Sequence, residues 1–367
     1  MGCPVSRRSS FAISLFVLVT TTSVVRIQAG DQVPRVPSPL EHLTKAQRRE
    51  AIERAVVWAP TDIPSMDLRT GPMGKGAFAP FATVTCDYVD KKPSGASRKF
   101  FCAIASDDEV KVKYGDNNRE TYAEVAATRL LWALGFGADH MYPVKVICRG
   151  CPADPYADAK HRLTEATFDV AAIERKMPGK TLETHPDEGW SWAELDSIAI
   201  TAAPTERVHR DALKLLAVLL QHTDSKPQQQ RLTCLPGSSA IDSGDVCREP
   251  FMMLNDVGLT FGRANLLNEK RLSGMNLDRW SGVRVWKDPK TCVGKLSASA
   301  TGTLSDPTIS GAGRKFLADL LVQLTDAQLH DMFEVARFGQ RGDASIDQWV
   351  AAFKQKRDEI VGVTCPV

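Results

Sequence analysis

The stretch LLAVLLQHTDSKPQQQRL, residues 215–232, begins as a run of apolar residues at helix-forming length and ends in a cluster of polar groups. Leu215, Leu216, Val218, Leu219 and Leu220 leave their helix almost without a polar face, so it has to be enclosed by the rest of the chain. An enclosed helix holds whatever follows it rigidly where it emerges. Here that is His222, Asp224, Lys226, Gln228 and Gln229: an imidazole, a carboxylate, an ammonium and two carboxamides.

The segments upstream read as strands around one long helix. FATVTCDYV, KFFCAIA and EVKVKYG have strand length and composition, and DKKPSGASR between the first two is a turn containing Gly95. NNRETYAEVAATRLLWALGF has helical periodicity, with Asn117 or Asn118 to cap it and Gly135 or Gly137 to end it. MYPVKVIC and FDVAAIERK are two further strands. After Pro178-Gly179 the character changes. WSWAELDSI and ERVHRDALKLLAVLLQH are helical, and EPFMMLNDVG is a strand ending in Asp256-Val257-Gly258. Residues 312–338 make one or two helices, and SIDQWVAAFKQKRDEIVG makes another with Ser345 as its N-cap. Near the start, residues 39–58 form an amphipathic helix behind the Pro-rich VPRVPSP, and 59–80 an extended connector. The expected fold class is α+β: an N-terminal helix and connector over 30–80, a β-rich lobe over 81–178 and an α-rich lobe over 179–367.

Residues 1–29 read as a signal peptide. Arg7 and Arg8 precede the apolar Phe11 to Val25, and Ile27-Gln28-Ala29 supplies a small-residue cleavage site before Gly30. The apolar run is too short to span a bilayer, and no later stretch does. The expected destination is secreted or periplasmic. Cleavage removes Cys3 and leaves eight of the nine cysteines, an even number that suits disulfides in an oxidising compartment. Their pairing is not readable from the sequence; we take Cys86–Cys102, Cys148–Cys151, Cys234–Cys247 and Cys292–Cys365 as the expectation. Cys148-Arg149-Gly150-Cys151 follows a strand, as a redox motif would. Pro152 comes next, however, rather than a helix start that would activate a thiol, so a structural disulfide is expected. A formal net charge of +2 gives no reason to expect a nucleic-acid partner.

The polar loop has the composition that phosphoryl transfer requires. One carboxylate orients the attacking hydroxyl, a cation meets the negative charge, and a side-chain oxygen a few residues on helps hold a metal. HTDSKPQQ, 222–229, resembles the protein-kinase catalytic loop H-R-D-L-K-P-E-N, with His, Asp, Lys and Pro in register. The chain thus resembles the protein-kinase-like superfamily, in an atypical secreted branch similar to the secretory-pathway kinases and to the HipA-like and phosphatidylinositol kinases. The resemblance implies a bilobal, disulfide-braced kinase-like fold that uses ATP and Mg²⁺ or Mn²⁺. It also implies Asp224 as catalytic base, Lys226 at the γ-phosphate and Gln229 in the position of the metal-binding Asn. Asp256-Val257-Gly258 resembles the metal-binding D-F-G turn, with Asp256 as ligand. EVKVKYG resembles the strand that carries the phosphate-anchoring Lys. Alternation puts Lys111 and Lys113 on one face, and Lys113 is preferred. Glu120 and Glu124 lie one turn apart on the next helix, and Glu124 is the choice to pair with that Lys. The turn with Gly95 stands where the family has its phosphate-covering loop.

A literal H-R-D, His209-Arg210-Asp211, sits inside the helix, and Leu216 stands where a metal ligand would be needed; it reads as a coincidence or a solvated helix face. The chain departs from the family pattern at Thr223, Gln229 and Val257, and CLPGSSAIDSGDVC lengthens the interval between Asp224 and Asp256. Two functions fit: an exported ATP- and metal-dependent phosphotransferase with unknown acceptor, or a degenerate kinase fold kept as a secreted binding or scaffold module.

Overall fold

A computed structural model describes residues 44–95, 97–182, 189–198, 204–237, 247–262, 274–297, 302–340 and 344–366. The expected signal segment 1–29, the leader with Leu40 and Leu43, and most of the excursion between Cys234 and Cys247 lie outside them. Helix α1 is Lys45–Glu53, opened by a capping box in which Thr44 and Gln47 bond reciprocally. Strands β1 (Thr83–Val89), β2 (Lys99–Ala105) and β3 (Asp108–Tyr114) precede helix α2 (Arg119–Ala133). Strands β4 (Gly137–Ala138), β5 (His140–Arg149), β6 (Glu165–Arg175) and β7 (Lys180–Thr181) follow. Helices α3 (Trp192–Ile198) and α4 (Pro204–Leu220) lead to β8 (Gln230–Cys234) and β9 (Phe251–Leu254). The rest is α5 (Leu277–Gly282), β10 (Trp286–Asp288), β11 (Val293–Gly294), α6 (Gly311–Leu321), α7 (Asp326–Val335) and α8 (Ile346–Val361).

The fold is α+β, with β1-β2-β3-β6-β5 closing into a barrel. Alternation assigns one face of these strands to the barrel interior. Phe100, Tyr114, Tyr142 and Phe168 fill it together with Val112, Ile173 and the disulfides Cys86–Cys102 and Cys148–Cys151. The intervening residues face the other way. In register across the sheet these are Lys99, Lys113 and Ala172 in one row and Phe101, Lys111 and Glu174 in the next. A larger apolar core joins α1, α2, α4 and α6–α8, with Phe261, Trp280, Phe333 and Trp349 packed ring to ring. All four disulfides pair as expected. Among the described residues no helix is long and apolar enough to cross a membrane.

Several local expectations are resolved or changed. Residues 312–338 form two helices, α6 and α7. Asn118 occupies the N-cap position of α2 but does not cap it. Its amide instead donates to the carbonyls of Arg98 and Tyr114, tying the helix start to the ends of β2 and β3. The connector 59–80 is a packed strap: Ile63 and Leu68 are buried, and the buried guanidinium of Arg129 donates to the Leu68 and Met141 carbonyls. His209-Arg210-Asp211 is not a solvated face. His209 packs at a tilt against the rings of Trp58 and Phe316, which also touch each other, Arg210 donates to the Ile52 carbonyl, and Asp211 accepts from the Ser310 backbone N–H.

Candidate active site

Helix α4 delivers the polar loop through a sharp, well-bonded exit. Gln221 adopts φ 56°, the left-handed conformation that ends many helices. Its N–H donates to the Val218 carbonyl and that of His222 to the Ala217 carbonyl, the paired bonds of a Schellman motif. Glutamine holds this conformation because its carboxamide is anchored on the carbonyls of Val218 and Lys295. The loop beyond is pinned at Ser225, whose carbonyl accepts from Thr303 and whose hydroxyl accepts from the Leu304 N–H. His222 is enclosed, 6.4 Å from the Trp192 ring, and burial lowers its pKa to about 4. Asp224 accepts from Lys226 Nζ at 3.0 Å and from Gln229 Nε2 at 3.1 Å, so the three side chains read from the loop converge on one carboxylate. The Asn255 N–H donates to the Gln229 carbonyl at 2.9 Å, which sets the segment after β9 beside the loop.

That segment carries Asp256. Lys113 Nζ, 1% exposed, donates to Glu124 Oε1 at 2.7 Å and lies 3.9 Å from Asp256 Oδ1. Strand β3, helix α2 and the turn after β9 therefore meet at one ammonium. Burial works against the charge on Lys113, but Asp256, Glu124 and Glu120 outweigh it and hold the ammonium above its ordinary range. Burial likewise works against the Asp256 carboxylate; Lys113 and the Gly258 N–H, 3.2 Å from Asp256 Oδ1, win and hold it well below the usual range. Glu124 is the exception, because burial pushes it up to about 8. Side by side with it on α2, Glu120 is also raised by burial.

The alternative lysine, Lys111, pairs with Glu174, and Glu174 and Asp139 share Lys176. Lys111, Glu174 and Lys176 line a cavity of about 480 Å³ along with Lys99 and Phe101. Gly95, at φ 83°, lines a second cavity of about 490 Å³. Lys99, Asn255 and the Glu174–Lys176–Asp139 cluster were not singled out by sequence reasoning. Lys99 carries a signal only in hindsight: it has the same face parity as Lys113 once the β2–β3 register is known. The residues suit a divalent cation. Asp224, Asp256 and the Gln229 carboxamide are oxygen donors, and Asn255 Oδ1 is buried without a hydrogen-bond partner among the described residues, a set that favours Mg²⁺ or Mn²⁺ over softer metals.

No protein-family model matches the sequence, and no curated protein matches it. Among solved structures, a Helicobacter pylori proinflammatory kinase, CtkA, aligns over 77% of this chain and 96% of its own at 13% identity, with a TM-score of 0.40. A chain of the Shewanella oneidensis MR-1 HipA–HipB toxin–antitoxin complex with operator DNA aligns over 92% of this chain and 75% of its own at 12% identity, with a TM-score of 0.34.

Proposed function

We propose that the protein is an exported, two-lobed phosphotransferase of the kinase-like class, dependent on ATP and Mg²⁺ or Mn²⁺, with the barrel and the helical part forming the walls of its cleft. The observation that carries this reading is the meeting of Lys113 and Glu124, from the consecutive β3 and α2, with Asp256, which lies far beyond both in the chain. Burying these charges together costs stability unless a charged ligand uses them. The metal–nucleotide pair would supply the phosphoryl group and neutralise charge developing on it. Lys113, held by Glu124, orients the phosphates. Asp256, with Gln229 and Asn255 beside it, holds the cation. Asp224 accepts the proton of the attacking hydroxyl, and Lys226, 3.0 Å from it, meets the transferred group. The four disulfides and the amino-terminal sequence support export to an oxidising compartment.

One observation favours the second reading, a secreted binding or scaffold module. Gln229 donates its amide nitrogen to Asp224, so its oxygen would have to turn to ligate a cation. A melting series decides between the two. With Mn²⁺ and ATP the wild type should melt higher than alone, Asp256→Ala should not respond, and Asp224→Ala should respond yet release no ADP. Absence of any nucleotide shift in the wild type, with either metal, would sink the phosphotransferase reading; a shift without turnover would favour the binding module.

A further inference from the structure

Among the described residues, Lys99, beside Lys113, is a cation that no carboxylate pairs with directly. It is 7% exposed, at the start of β2, directly opposite Lys113 in the β2–β3 register and on the same face of the sheet. Lys113 has Glu124 and Asp256, and Lys111 has Glu174; Lys99 has neither an ion pair nor a hydrogen bond among the described residues. Burial, and then the neighbouring Lys113 charge, hold its pKa below the ordinary lysine range. Asp256 and Glu124 offset this only in part and from beyond contact distance, so an ammonium in such a place keeps a cost that a directly bound anion would relieve. The side chain lines both cavities, that with Lys111, Glu174 and Lys176 and that beneath the β1–β2 turn with Tyr88, Lys91 and Gly95, and so stands at their common wall.

The turn is shaped around this ammonium. A Cβ at Gly95 would lie 3.0 Å from Lys99 Nζ, and φ 83° there is a conformation that a side chain would strain. A side chain at Gly95 would thus press on the Lys99 ammonium, which would have to give by a few tenths of an ångström.

We propose that Lys99 is a second phosphate-binding residue, which together with Lys113 makes the cleft a site for a chain of linked phosphates, a di- or triphosphate, rather than for a single phosphate. Two lysines in one cross-strand row offer charge to successive phosphates, and strand pairing sets their backbones directly opposite. The inference rests on reading this cleft as the nucleotide site, but its test separates the two. The probes are inorganic tripolyphosphate, ATP with Mn²⁺, and adenosine, titrated calorimetrically into wild type, Lys99→Met, Lys99→Arg and Gly95→Ala.

Tripolyphosphate and ATP should bind the wild type and bind Lys99→Met at least tenfold more weakly. Lys99→Arg should recover most of the loss, and Gly95→Ala should share it. Adenosine affinity should not differ between wild type and Lys99→Met. Without ligand, Lys99→Met should melt no lower than wild type, since an unpaired charge has been removed; a purely structural lysine would do the opposite. Lys99→Met binding tripolyphosphate within twofold of wild type overturns the proposal, as does a wild type that binds no tripolyphosphate. If tripolyphosphate binding depends on Lys99 while ATP does not bind, the assignment of Lys99 stands and the nucleotide reading falls. If ATP binding depends on Asp256 but not on Lys99, the reverse holds. Should Lys99→Met not fold, Lys99→Gln and Gly95→Ala carry the same comparison.

Discussion

His222 shows what enclosure does to a single residue. It is fully buried, and neither ring nitrogen has a hydrogen-bond partner among the described residues. Burial lowers its pKa from 6.5 to about 4, so the folded protein holds the neutral ring where the unfolded chain would take up a proton. The stability this contributes is therefore present above pH 6.5 and lost as pH falls toward 4, on the order of 3 kcal/mol in all. His222→Leu should remove that part of the pH dependence. Urea unfolding of both proteins at pH 7 and pH 4.5 checks it, and parallel losses in the two would refute the assignment. At this scale the loop residues were legible because Asp224, Lys226 and Gln229 lie within one short stretch whose chemistry is visible without a fold. Lys113 could only be narrowed to a pair with Lys111, since alternation gives a face and not a partner; the choice needs Glu124 in space. Lys99 was invisible, because as the first residue of KFFCAIA it reads as a surface charge at a strand end.

Elements were legible where local bonding alone decides them. Ser345 opens α8 with a reciprocal bond to Gln348, as the sequence suggested. Ser345→Ala should cost about 1 kcal/mol in chemical unfolding with no change in ligand binding. Where tertiary contacts compete, the sequence is silent. Asn118 forgoes its cap for the carbonyls of Arg98 and Tyr114, since a carboxamide can join three elements where a cap would serve one. The end of α2 combines both kinds of information. Gly135 was legible as one of two candidate helix stops, with Gly137, and it sits at φ 82°. Its second role was not: a Cβ there would stand 2.0 Å from the Ala59 carbonyl oxygen, which forces the strap and the helix end apart. Gly135→Ala should therefore cost well beyond the ~1 kcal/mol of an ordinary glycine replacement. A loss of 1 kcal/mol or less would show that the strap yields readily.

At the scale of the whole molecule, four disulfides divide the work of holding the chain very unequally. Cys86–Cys102 and Cys148–Cys151 lie together in the barrel interior, with Cys102 Sγ 3.6 Å from Cys148 Sγ, where packing already fixes the strands. Cys234–Cys247 joins two cysteines separated by 13 positions. Cys292–Cys365 spans 73 residues and ties the chain just after α8 to the start of β11, with α6, α7 and α8 all inside its loop. If restriction of the unfolded chain dominates, the contribution follows loop length: about 4 kcal/mol for Cys292–Cys365, about 3 for Cys86–Cys102 and Cys234–Cys247, and under ~2 for Cys148–Cys151. Paired Cys→Ala variants should follow that order in guanidinium unfolding. The order has a consequence for function too. The loop closed by the C-terminal bridge also contains Lys295, Thr303 and Leu304, which hold Gln221 and Ser225 at the start of the polar loop, so its removal should lower the unfolding midpoint and also reduce the melting shift produced by ATP with Mn²⁺. If the Cys148–Cys151 pair proved the costliest instead, packing of sulfur in the barrel rather than chain entropy would govern, and the short Cys-Arg-Gly-Cys bridge would be the feature that the barrel cannot do without.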